Sequence, residues 1–249
     1  MFKRLSLAIF LTFYFLLLTL PAFAAEYDGI WFLGFNLRQP PFDNLNVRQA
    51  VVCALTSAEA DGSFIPPGMA GYDTTLPPNK YNLKYAALLL KRAGYKTSDQ
   101  RLKHLTLLHT DGLRTIAIAR QIRADLRALG LRLELVEVSY RDAARWEKEL
   151  RSGKHQLFLM GYKAGAEQLF TAEAAGSGPE SADLLEPLFK TGGAANFTGY
   201  SSPAVDMLLD QLSVIAPAMT MERELKFREI NKTLYRDRPA VVLFYIEKL

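Results

Sequence analysis

Residues 105–162, LTLLHTDGLRTIAIARQIRADLRALGLRLELVEVSYRDAARWEKELRSGKHQLFLMGY, decide the fold. Leu105, Leu107 and Leu108 form a short apolar run that stops at His109-Thr110-Asp111-Gly112. Ile118, Ile122, Leu126 and Leu129 then recur at helical spacing. Gly130 follows where a helix end favours positive φ. Leu131, Leu133 and Leu135 alternate with Arg132 and Glu134, the pattern of a half-buried strand. Arg141 to Arg151 reads as a second helix ending near Gly153, and His155 to Met160 as a third strand halted by Gly161. Strands and helices alternating at this spacing predict parallel pairing through right-handed crossovers, an α/β fold with a mostly parallel β-α-β-α-β core. Ligands of such sheets sit beyond the carboxyl ends of the strands, here His109–Asp111, Ser139-Tyr140 and Gly161–Lys163.

Upstream, Ile30 to Leu37 reads as a buried strand, and Gln39-Pro40-Pro41-Phe42-Asp43 as a turn that prolines keep out of helix. Asn46 is placed to N-cap a helix carrying Val47, Ala50, Val51 and Ala54. Thr56 to Pro78, with Gly, Pro and Asp throughout, reads as a loop over the surface. Asn82 caps a helix whose apolar face is Tyr85, Leu88, Leu89 and Ala93, stopping at Gly94-Tyr95. Downstream, Ala164 to Ala195 is rich in small residues. Ser202-Pro203 is a good helix start, with Val205, Leu208, Leu209 and Leu212 as its apolar stripe. A longer helix from Thr220 turns Leu225, Ile230 and Leu234 inward, and Pro239 to Ile246 forms a last strand. Everything after residue 24 fits one domain, 25–249.

The 249 residues are 49% hydrophobic, enough for a sizeable core, and the net charge of +4 is too small to imply a polyanionic partner. Met1 to Ala24 has the layout of a secretory leader: Lys3 and Arg4, an apolar core from Leu5 to Leu20, then the small-x-small site Ala22-Phe23-Ala24. Its competitor is an uncleaved membrane anchor, for which the apolar run is short. A cleaved leader sends the chain to a bacterial-type periplasm or outside the cell. The single Cys53 cannot form an internal disulfide and reads as a small buried hydrophobe.

Three stretches together resemble one family, the periplasmic solute-binding proteins for oligopeptides, dipeptides and nickel (solute-binding protein family 5). They are Gly34-Phe35-Asn36 with Pro40 to Asp43 and Val47-Arg48-Gln49-Ala50; Pro77-Pro78, Tyr81, Ala86, Leu89-Leu90 and Ala93-Gly94-Tyr95; and Asn196 to Asp206, with Glu222-Arg223 after it. The resemblance implies a periplasmic-binding-protein-like lobe. It also implies, as partners, a small solute or short peptide and an ABC permease. Family members have two lobes and about twice this length. The matching motifs belong to the second lobe, so the first is expected to be absent and this chain to be a single truncated lobe. A second polypeptide or a second copy in a homodimer would supply the missing wall. In the family's peptide binders, the third strand ends in a segment whose aspartate holds the ligand's amino group. Here it reads Gly161-Tyr162-Lys163-Ala164-Gly165, with Glu167 two residues late, and Lys163 favours an anionic group instead. Arg48 reads as a surface charge, and Asp206 as a structural carboxylate in the first turn of its helix.

Other chemistries find little support. His104, His109 and His155 are scattered, and none stands at metal-ligand spacing with a carboxylate or Cys53. No hydrolase, Walker, Rossmann or zincin pattern occurs, so neither an enzyme nor a cofactor or metal is expected. Arg120, Arg123 and Arg127 fall on one helix face, with Arg114 before them; this reads as a solvated face rather than a nucleic-acid site. Asn196-Phe197-Thr198 and Asn231-Lys232-Thr233 match a glycosylation pattern of little weight in a bacterial chain. Two functions remain: solute or peptide binding in the periplasm for ABC uptake, or a non-transport interaction protein built from a decayed lobe. The binding residues expected are His109, Asp111, Tyr140, Tyr162, Lys163 and Asn196.

Overall fold

A computed structural model of the protein describes residues 26–56, 62–96, 99–165 and 180–248; the leader and Glu167 lie outside them. The sheet strands are β1 (Tyr27–Phe35), β2 (Leu105–Thr110), β3 (Leu133–Val138), β4 (Leu157–Lys163) and β5 (Ala240–Glu247). The helices are α1 (Leu45–Ala54), α2 (Leu83–Arg92), α3 (Leu113–Ala128), α4 (Ala143–Arg151), α5 (Ser181–Phe189), α6 (Pro203–Val214) and α7 (Thr220–Asp237).

The quoted stretch folds as β2-α3-β3-α4-β4, with β2 parallel to both β3 and β4. Strand order is β3-β2-β4-β1-β5. The chain leaves β2 to one side, reaches β3, and crosses back to the other side for β4. Right-handed crossovers in opposite directions must put their helices on opposite faces. Accordingly Ala119, Ile122 and Leu126 of α3 pack with Leu107, Leu133 and Leu157, while Leu150 of α4 packs with Leu108, Val138 and Phe158. Helices α1 and α2 join α3 on the first face, and α5, α6 and α7 join α4 on the second. The result is a three-layer α/β/α lobe. One strand departs from the parallel pattern: β1 runs antiparallel between β4 and β5. Its amino end therefore reaches the same sheet edge as the carboxyl ends of the other four.

Several local expectations need correcting. Arg48 is buried, at 7% exposure, because its guanidinium caps a helix end. It donates to the carbonyls of Phe42, Asp43, Asp237 and Arg238, and burial pulls its pKa down. The cap of α1 is Asn44, whose side chain accepts from the Asn46 N–H at 2.9 Å; Asn46 already lies in the helix. Helix α2 buries Ala86, Leu89 and Leu90, leaving Tyr85 and Leu88 exposed. In α7 Leu225 points outward, and Phe227 takes the inward place. The loop before Pro78 does not simply cover the surface. Phe64 and Ile65 enter the core, tied there by the fully buried Asn231, which accepts from the Phe64 N–H and donates to Ser63 Oγ. Cys53 is only partly buried, and burial raises its thiol pKa. The caps Asn82 and Ser202, and the four-residue stripe of α6, are as the sequence reads.

Candidate functional site at the strand ends

The edge where β2, β3, β4 and β5 end and β1 begins carries an aromatic shelf. On the α3 face of the sheet Trp31 (β1) lies between Gly161 (β4) and Phe244 (β5) in register. The two rings stack at 5.8 Å with an interplanar angle of 26°. Gly161 makes the shelf possible: a Cβ there would come within 2.8 Å of Trp31 Cε2. Arg114, in the first turn of α3, lays its guanidinium 4.2 Å over the Phe244 ring. A cation over a ring face is held by the ring quadrupole at roughly 0.5–1 kcal/mol when exposed. Leu113 beside it is 89% exposed.

One row further out, Lys163 crosses Gly29 to reach Asp28. A Cβ at Gly29 would sit 3.1 Å from Lys163 Cγ and 2.5 Å from the Tyr162 carbonyl. The register shift of β1 against β5 between Tyr27 and Gly29 falls at this point. Lys163 Nζ is 3.1 Å from Asp28 Oδ1 and donates to the Glu247 carbonyl at 3.4 Å. Its charge is thus balanced by Asp28, itself 8% exposed.

The expected site residues separate into groups. Asp111 accepts the Tyr140 N–H at 2.7 Å through Oδ1, stitching the end of β2 to the loop after β3; that hydrogen bond lowers its pKa. Tyr140 is 59% exposed and lies beside Arg141, whose Nε is 3.2 Å from the phenol oxygen. His109 is at the same edge but only 2% exposed, with Nδ1 2.9 Å from the Thr110 carbonyl. Tyr162 is at the end of β4, packed on the α7 face and so turned away from Lys163 and Trp31. Asn196 is not brought to this edge. Its loop bonds to Leu37, just past the end of β1, through the Thr198 carbonyl. That is the opposite end of the sheet. There its amide donates to the carbonyls of Lys190 and Tyr200 and accepts from Thr198 Oγ1. Sequence reading missed Trp31, Phe244, Arg114 and Asp28. Only the antiparallel direction of β1 brings Trp31 and Asp28 here, and an apolar run carries no mark of direction.

A family model described as bacterial extracellular solute-binding proteins, family 5 (middle region), matches residues 17–171. This chain belongs to that family. Among curated relatives, the family-5 chain is 25% identical over 146 residues to the dipeptide-binding protein of Escherichia coli, covering 54% of the chain and 27% of the relative. It is 26% identical over 230 residues to the glutathione-binding protein GsiB of Pectobacterium atrosepticum, covering 85% and 41%. The chain thus spans well under half the length of these relatives. The fold matches the Escherichia coli murein tripeptide binding protein MppA with a TM-score of 0.74 at 18% identity, over 94% of this chain and 46% of that one. It matches the Helicobacter pylori periplasmic binding protein DppA, in complex with the peptide STSA, with a TM-score of 0.72 at 21% identity, over 92% and 44%.

The strand-end segment Gly161–Lys163 supplies the glycine the shelf requires and ends in a lysine. Among the described residues no group of three or more His, Cys, Asp or Glu could hold a metal ion, and no helix is long and apolar enough to cross a membrane.

Proposed function

We propose that the chain is the peptide-type solute-binding component of an ABC uptake system, holding a small solute or short peptide in the periplasm after residues 1–24 are removed as a leader. Residues 25–249 then form one solute-binding lobe, and its work is binding, not catalysis. The observation that carries this reading is the Trp31–Phe244 shelf with Arg114 at the carboxyl edge of the sheet. Ring faces suit an apolar side chain or a peptide plane, and a guanidinium suits a carboxylate. Arg114 is the better anion partner, since Lys163 is already balanced by Asp28. A single lobe walls such a ligand on one side, so affinity is expected to be modest, with Kd on the order of millimolar, until a second polypeptide or a second copy covers it.

The test uses the two tryptophans of the chain, Trp31 and Trp146. In Trp146→Phe, Trp31 is the sole reporter. Di- and tripeptides and small anionic solutes should change its emission saturably and raise the melting temperature as ligand exceeds Kd. Silence of both signals across the panel would sink the proposal.

A further inference from the structure

The flank of the lobe carries a second feature, distant from the strand ends. β3 is the last strand of the sheet, so alternate N–H and C=O groups along its outer side have no neighbouring strand among the described residues. Between β3 and α3 runs a groove of about 590 Å³, floored by Leu131, Leu133 and Ala124. Its rim is Arg120, Arg123, Arg127 and Arg132. All four are exposed, and none has a side-chain hydrogen bond or ion pair among the described residues. Among the described residues no carboxylate lines the groove. Asp125, on the same helix, faces inward and is spent on Thr56 and Gln121. Strand alternation puts Glu134 on the other face of β3, since Leu133 and Leu135 pack on the α3 side.

An ordinary solvated helix face explains single arginines, but not four unpaired ones around an apolar floor next to an open strand edge. We infer that this groove is a docking site for an extended acidic segment of a partner protein, which adds to β3 as an extra strand. Backbone pairing along β3 supplies the alignment. Carboxylates on every second residue meet the guanidiniums in bidentate pairs, and an apolar residue among them rests on the exposed Ala124. The intervening side chains face Glu134 and must not be acidic. The concave groove favours such a segment over a flat anionic bilayer. This inference does not depend on the solute-binding reading, and a chain that bound no solute could still dock through this edge.

The test is fluorescence anisotropy with a labelled peptide alternating threonine and glutamate, against the same peptide with lysine for glutamate. The wild-type chain should bind the acidic peptide alone, and binding should weaken steeply with added salt. The double variant R123E/R127E should lose roughly tenfold or more in affinity, with its melting temperature and circular dichroism retained. Bound peptide should also protect the β3 amides from hydrogen exchange, a readout that unspecific charge attraction would not give. Equal binding of the two peptides, an unaffected double variant, or no protection of β3 would each overturn the inference. So would binding to phosphatidylglycerol vesicles without binding to the peptide.

Discussion

The Arg48 guanidinium donates to the main-chain carbonyl of Asp237 at 2.7 Å, joining the first helix of the lobe to the last turn of α7, 189 residues away. The helix leaves its final carbonyls without intrahelical partners, and Arg48 also takes that of Arg238, whose φ of 50° ends the helix in the left-handed region. The same side chain reaches Phe42 and Asp43 in the turn after β1. One cation therefore ties together the first helix, the turn after β1 and the end of α7.

Removing it should leave several buried carbonyls unsatisfied. Arg48→Ala is expected to destabilise the lobe by about 3 kcal/mol, and Arg48→Lys by roughly half as much, since an ammonium cannot span the same acceptors. Urea unfolding measures both. A loss below about 0.5 kcal/mol for the alanine variant would show the clamp to be dispensable.

What the sequence made legible follows from where each signal is written. Periodicity and caps are local, so the β2-α3-β3-α4-β4 core, the Asn82 and Ser202 caps and the stripe of α6 are readable from neighbours in the chain. Arg48 and Arg223 are not. Arg48 reads as a surface charge and Arg223 only as the end of a motif, yet Arg223 donates to the carbonyls of Leu212 and Ile215, closing α6 much as Arg48 closes α7. Apart from Glu180, which pairs with Arg223, their acceptors are backbone atoms with no sequence signature. The candidate site divides the same way. The strand ends at Asp111, Tyr140 and Lys163 could be found from the βαβ pattern, whereas Trp31 and Asp28 depend on the direction of β1. Only its motif points Asn196 to the site, and its loop closes at the far edge.

Gly161 is the one position where the shelf depends on a missing atom. Gly161→Ala should push the Trp31 ring off Phe244, because the new Cβ would lie 2.8 Å from the indole. A cost of about 1–3 kcal/mol is expected from overpacking, together with a changed near-ultraviolet circular dichroism spectrum and weakened ligand response of Trp31. An unchanged spectrum and response would detach the shelf from the binding site.

Acid should loosen the lobe partly through Glu149. Its carboxylate is hydrogen-bonded by Lys154 Nζ and, at 3.0 Å, by His155 Nε2, and these bonds, Lys154 first, hold its pKa down to about 2. A carboxyl whose folded pKa lies below its unfolded value of 4.5 contributes stability that is full above pH 4.5 and is lost as pH falls towards 2. Glu149→Gln should therefore flatten the fall in melting temperature across that window. Parallel profiles for the two proteins would remove Glu149 from the acid response.

Asn196 separates a motif's structural role from a ligand-binding one. Its amide nitrogen donates to the carbonyls of Lys190 at 2.9 Å and Tyr200 at 2.8 Å, while its oxygen accepts from Thr198 Oγ1 at 2.8 Å. Asn196→Asp replaces the donor by an acceptor facing two carbonyl oxygens, a repulsive arrangement expected to cost about 2 kcal/mol. The loop it closes lies by Leu37, at the end of the sheet away from Trp31 and Arg114. The variant should thus melt earlier yet show the same Trp31 emission change with peptides at a temperature where it remains folded. Loss of that response without loss of stability would return Asn196 to the ligand site and move the site to the opposite edge.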